Sequence, residues 1–388
     1  MAKPITAIIG VGESAMGRVP GVGPLELMLQ ATDRALESAG LELSAIDGLI
    51  TVPVMTERWY NAAVVVSRGL GIDPRYVTTL DLAGASGAAM VEQAGRAIDA
   101  GLCEAVLCVA GQPLLSGLSR DMAVAAMAQS AGHPLAEAPS GPPVPALYAL
   151  FAARHMHEFG TTREQLAAVA VQMRRHAALN ENAHFRTPIT VADVLAAKPI
   201  ATPFTMLDCA PVSDGACAMV VISAERARRI KPRAAYVHGA GYGMAHAYLT
   251  DADDLMHTGA RKSGRAAFAA AGMRPSDMEF CSLYDCFTIT LLLELEELGL
   301  CPRGEAGRFV QDGHIDRDGS LPTNTGGGLL SGGHPGLPAG LFPVAEAARQ
   351  IMGEAGARQL KRADLAVAHG NGGVVAIHCT LVLGSKNV

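Results

Sequence analysis

Basic residues are thinly spread along this chain: 31 Lys and Arg stand against 37 Asp and Glu, the formal net charge is −6, and nowhere do the cations gather into a run. A polyanion-binding groove needs such a cluster, so a nucleic-acid partner is not expected. Aromatic residues make up only 4% with a single Trp, which leaves little for a stacking platform. No stretch reaches the roughly 18 apolar residues of a membrane-spanning helix, and the first apolar run meets Gly10 and Gly12 before it attains secretory length. The eight cysteines, at 103, 108, 209, 217, 281, 286, 301 and 379, form no close pair, which fits reduced thiols and a cytoplasmic location better than a disulfide framework. His155 and His157 alternate within a helical segment, and His369 and His378 have no zinc-quartet company, so no metal is expected.

What abounds is small and apolar: hydrophobic residues make up 49%, with 43 glycines and 22 prolines. A length of 388 residues implies two or three structural units. Strand patterns at 5–11, 47–52, 77–81 and 104–110 alternate with helical faces at 24–39 and 86–100, the signature of an α/β protein with parallel strands. Prolines and glycines break the rhythm over about 112–205, which reads as an inserted loop domain with helices near 145–159 and 163–180. A strand at 217–223 and a charged seam at 225–232 divide the chain into an N-terminal half, 1–230, and a C-terminal half, 231–388. The second half repeats the first in outline, with strands at 234–241, 279–284, 364–369 and 374–384, helices at 258–272, 285–298 and 337–352, and a glycine-rich turn at 326–336. Helices after Gly84-Ala-Ser-Gly87 and after His334-Pro-Gly336 thus hold equivalent places.

Gly10-Val-Gly12 through Gly17 imitates a dinucleotide fingerprint, but its second spacing is four residues instead of two. Three other segments lie where α/β proteins bind ligands, at strand ends. Tyr284-Asp285-Cys286-Phe287 joins a strand to a helix, Ser331-Gly-Gly-His334-Pro-Gly336 sets an imidazole at a helix N-terminus, and His369-Gly370-Asn371-Gly372-Gly373 follows a strand. The last reads either as an ordinary hairpin or as a turn whose N–H groups meet an oxyanion.

Together with Ser213-Asp-Gly-Ala216, Ala153 to Thr162 and Leu293 to Cys301, these segments resemble the thiolase superfamily, specifically thiolase-like proteins of the sterol-carrier-protein type, over nearly the whole chain. The resemblance implies a thiolase fold of two similar βαβαβαββ halves packed together around an inserted loop domain, normally as a homodimer. It also implies a nucleophilic cysteine before the Ser-Gly turn, a second, proton-moving cysteine near the C-terminus and an activating Gly-His-Pro histidine. Here Gly84 stands at the first cysteine, His369 at the second, and Tyr284 replaces the histidine of the family's His-Asp-Cys-Phe.

Glycine forms no acyl-enzyme, which puts ping-pong Claisen chemistry in doubt. Retained parts point to an enolate: His334, with backbone N–H groups of Gly84, Gly370 and Asn371, would hold a CoA thioester oxygen, and Tyr284 or His369 would be the base, beside Asp285 and Cys286. Retro-aldol cleavage of a β-hydroxyacyl-CoA follows, since cysteine-lacking members of this subgroup include steroid side-chain aldolases. Acyl transfer through Cys286 or Ser86, or service as a non-catalytic subunit, stays open. Coenzyme A enters as part of the substrate, with Arg174, Arg175 and Lys198 as candidates for its phosphates. The resemblance further implies a small OB-fold partner with a zinc ribbon.

Overall fold

Strand β1 (Thr6–Glu13) lies at the centre of the molecule because it carries glycine where a helix must touch it. A Cβ on Gly10 would meet the Ala35 carbonyl oxygen at 2.2 Å, and one on Gly12 the Ala31 oxygen at 2.0 Å. The helix Pro24–Ala39 therefore rests directly on the strand backbone, which accounts for the Gly10-Val-Gly12 motif as packing. The computed structural model describes residues 4–386 and 388. Its further strands are β2 (Gly48–Thr51), β3 (Tyr76–Thr79), β4 (Ala105–Pro113), β5 (Pro199–Ala201), β6 (Phe204–Thr205), β7 (Asp214–Ser223), β8 (Ala235–Met244), β9 (Phe280–Ser282), β10 (Leu365–Gly372) and β11 (Ile377–Gly384).

Nine of these form one mixed sheet in the order β3-β2-β4-β7-β1-β8-β11-β10-β9, and β5 and β6 pair separately. The two central strands, β1 and β8, run antiparallel. Beyond β9, Cys281 makes a parallel bridge to Thr323. Counting that bridge as a strand, each half follows one order, third-second-fourth-fifth-first, and the first strands meet in the middle. The likeness extends to packing: Cβ atoms on Gly239, Gly241 and Gly243 of β8 would strike carbonyls of the helix Gly259–Ala271 at 2.2, 2.2 and 2.0 Å.

Helices Ser86–Asp99 and Leu341–Met352 form an inner layer between the two halves of the sheet, burying Met90, Val91, Val344 and Ile351 against Ile8, Val106, Val221 and Leu381. Each such side chain stabilises the fold by roughly 1.5–3 kcal/mol. The two helices start against one another, for a Cβ on Gly87 would lie 2.0 Å from the Gly340 oxygen. Outer layers are the helices Pro24–Ala39 and Ala62–Leu70 on one side and Gly259–Ala271 and Thr288–Glu297 on the other.

The structure adds detail to three expectations. The inserted region holds the expected helices, Val144–Phe159 and Arg163–Ala177, the latter begun by a Thr162–Gln165 capping box, but also Arg120–Ala131, whose even spread of Met and Ala gives no helical stripe to read. The charged seam at 225–232 contains a helix, Ala224–Ile230, between β7 and β8, because Ser223 Oγ accepts the Arg226 N–H at 3.2 Å and Ala224 and Ala227 are buried. Finally, His369 to Gly372 belong to β10 and pair with β11 through Gly372–Ile377, so the turn comes after them. All eight cysteines are free thiols, and among the described residues no helix is long and apolar enough to cross a membrane.

Candidate active site

The segment from β9 to the helix Thr288–Glu297 sets Tyr284 over the turn that precedes the helix Ser86–Asp99. A Cβ on Gly84 would lie 2.4 Å from Tyr284 Cζ, 2.5 Å from its Oη and 2.2 Å from the Asn371 carbonyl oxygen. Glycine at 84 is thus a steric condition for the phenol's position. Tyr284 Oη is 2.9 Å from His334 Nε2, with the rings edge to face.

His334 is held from several sides. Its N–H donates to Ser213 Oγ at 3.0 Å, its carbonyl accepts the Ser213 N–H at 3.1 Å, and Gln112 Nε2 donates to the Pro335 carbonyl at 2.7 Å. The Gly336 N–H donates to His334 Nδ1 at 3.3 Å, so the neutral ring carries its hydrogen on Nε2, facing Tyr284. Nε2–H then donates to the phenol oxygen, and the phenol's own hydrogen is left for another acceptor. Burial lowers the His334 pKa to about 4 and raises that of Tyr284 well above its ordinary value, so the resting pair is neutral at pH 7.

Other expected residues fall elsewhere. Along β10, side chains alternate: Gly370 and Gly372 turn to the Leu82–Ala85 segment, where Cβ atoms would meet the Gly84 oxygen at 3.0 Å and the Leu82 oxygen at 2.0 Å, so His369 and Asn371 point to the opposite face. His369 is buried there against Thr380 Oγ1 at 2.8 Å and His378 Nδ1 at 3.0 Å, not beside Tyr284 as a base. Gly370 and Asn371 are strand residues instead of an open turn, although the Asn371 carbonyl borders Gly84.

Asp285 turns away from the phenol and accepts the Leu329 N–H at 2.6 Å, clamping the short helix Gly328–Gly332 that leads to His334. Cys286 is buried, and burial pushes its thiol far up, which disfavours the thiolate a nucleophile requires. Ser86 Oγ is buried and accepts the Leu82 N–H at 2.9 Å, so its hydroxyl braces the turn. Arg174, though a phosphate candidate, is buried, donating to Ser331 Oγ and the Thr187 carbonyl, whereas Arg175 and Lys198 are exposed.

Sequence reasoning passed over Gln112, Tyr148 and Glu294. Tyr148 Oη donates to the Gly373 carbonyl at 2.8 Å and its ring stacks on Phe287 at 4.3 Å. Glu294 accepts the Tyr284 N–H at 2.9 Å; a lone acid inside Leu291-Leu-Leu-Glu-Leu295 was the available signal.

Fold and site together define a thiolase-like enzyme in which Tyr284 fills the volume over Gly84. The chain belongs to the thiolase family: the thiolase N-terminal domain matches residues 6–202, and the thiolase C-terminal domain-like region matches 241–385. It is 35% identical to a steroid side-chain-cleaving aldolase of Thermomonospora curvata, over 89% of this chain and 90% of that one. It is 32% identical to an acetyl-CoA acetyltransferase of Methanothermobacter thermautotrophicus, over 96% and 98%. The solved Ltp2-ChsH2(DUF35) aldolase superposes with a TM-score of 0.87 at 32% identity, covering 98% of each chain. The chain is thus a non-classical member of the family, without cysteine at the acyl-accepting turn.

Proposed function

We propose that the enzyme cleaves a β-hydroxyacyl-CoA by a retro-aldol reaction, with Tyr284 moving the proton. The carrying observation is the Tyr284 phenol in the volume over Gly84, within hydrogen-bonding distance of His334 Nε2. As phenolate, Tyr284 takes the β-hydroxyl proton while His334 Nε2–H steadies its charge. The Cα–Cβ bond breaks, its electron pair passes into the thioester enolate, and Tyr284 returns the proton to Cα, giving a carbonyl compound and a shortened acyl-CoA. The main-chain N–H groups of Gly84 and Asn371 are assigned to the enolate oxygen. An apolar groove of about 370 Å³ lined by Leu114, Leu118, Ala123, Val124 and Val212 supports a bulky acyl group, because Val212 bridges to His334 and Leu114 lies under Gly336. The two-component name of the similar aldolase supports assembly with a small second protein, beside a homodimer of this chain.

The test is turnover of β-hydroxyacyl-CoA substrates, read as release of the carbonyl product and the shortened CoA ester. Tyr284→Phe is expected to lower kcat by about 10²–10⁴-fold. Because burial opposes the phenolate, kcat/KM should rise with pH across the neutral range. Protein mass increased by an acyl group after exposure to acyl-CoA would overturn this reading in favour of acyl transfer.

A further inference from the structure

Glu294 takes no part in those proton transfers, yet its carboxyl is 1% exposed within a run of buried leucines. A carboxyl is costly in such surroundings unless its contacts repay the desolvation. One oxygen, Oε2, accepts the Tyr284 N–H. The other, Oε1, lies 4.0 Å from His369 Nε2 and faces the Asn371 side-chain amide, a contact looser than an ordinary hydrogen bond that favours the charged carboxylate. Since the Asn371 carbonyl borders the Gly84 turn, this carboxyl reaches both the main chain that bears the phenol and the strand end that walls it.

The groups around it are neutral. His378 Nε2 donates to the Val375 carbonyl, so its Nδ1 accepts from His369 Nε2–H, and His369 Nδ1 accepts from Thr380 Oγ1. Burial pushes the carboxyl well above the usual range, with Asp285 adding to the effect, and the neighbouring Cys286 thiol is protonated. No cation is supplied from β10, β11 or the Tyr284 segment to make Glu294 one half of an ion pair.

We propose that Glu294 is a positioning residue: it fixes the Tyr284 main chain and the Asn371 strand end, so that the phenol stays over Gly84 and in reach of His334 Nε2. This rests on reading Tyr284 as the proton-transfer group. Glu294→Met keeps the volume but removes the acceptor, and Glu294→Gln keeps an acceptor for the Tyr284 N–H. Both are measured by kcat and KM, and by NMR of protein labelled at tyrosine Cζ, with the Tyr284 signal assigned from its loss in Tyr284→Phe. Glu294→Met is expected to shift that signal and lower kcat about tenfold or more with KM changed less than about twofold, and Glu294→Gln to restore both. Asn371→Ala, which removes the second contact, should move the signal in the same direction and serves if the Met variant does not fold. An unmoved Tyr284 signal in Glu294→Met, or a Gln variant as impaired as Met, would overturn the proposal. Absence of wild-type turnover on β-hydroxyacyl-CoA substrates would instead refute the lyase reading, leaving the NMR comparison to judge Glu294.

Discussion

Adding a single carbon at Gly84 tests the site most directly. Gly84 does not adopt a positive φ, so alanine there meets no backbone penalty of its own, and the cost is steric. The new Cβ would sit 2.2 Å from a strand carbonyl and 2.4 Å from the Tyr284 ring, and the carbonyl cannot rotate away as a flexible side chain end would. Overpacking of this kind costs about 1–3 kcal/mol, and contact with main chain argues for the upper end. Restricting the unfolded chain returns about 0.4–1 kcal/mol, so Gly84→Ala should lose about 2 kcal/mol, read as a lower urea midpoint. Displacing the phenol should also cut kcat at least about tenfold, with a smaller change in KM. In the double variant with Tyr284→Ala the ring contact vanishes while the Asn371 carbonyl remains, so the double variant should lose about 1 kcal/mol less than the two single losses added together. Wild-type stability and turnover in Gly84→Ala would refute the packing of Tyr284 over this turn.

Two buried groups should tilt the stability profile in opposite directions with pH. Burial raises Asp285 to about 7, so between about pH 4 and 7 the native state holds a proton that the unfolded chain releases; relative to Asp285→Asn, the wild type should lose on the order of 1.4 kcal/mol per pH unit as pH rises through that window and stay level above it. Burial lowers His176 to about 4, partly offset by its contact with the Asn324 carbonyl, so relative to His176→Gln the wild type should lose a similar amount per unit as pH falls from 6.5 to 4. Parallel unfolding curves for variant and wild type across pH 4–8 would refute either assignment.

Elements with strong local punctuation were legible in the sequence. The helix expected at 24–39 is found at Pro24–Ala39, because Pro24 opens its first turn and Gly40 closes it in the left-handed region. Where local preference and pairing disagreed, pairing won: Gly370-Asn-Gly372 has turn composition, but β11 continues opposite it and keeps it extended. That extension decides the fate of His369. Strand parity turns its side chain from the Gly84 segment, and no local reading of a supposed turn carries that parity.

Contacts between distant segments gave the site its meaning. The sequence displayed Gly84 and Tyr284 as two separate departures from the family pattern, 200 residues apart, whereas in space each requires the other. A side chain at 84 would strike the phenol, and a smaller residue at 284 would leave unfilled volume over the turn and His334 Nε2–H without its acceptor. Restoring cysteine at 84 alone therefore does not recreate an acyl acceptor, since its Cβ meets both Tyr284 and the immobile Asn371 carbonyl before its sulfur meets substrate. The two changes act as one exchange, in which the volume a side chain at 84 would need is filled by the Tyr284 phenol.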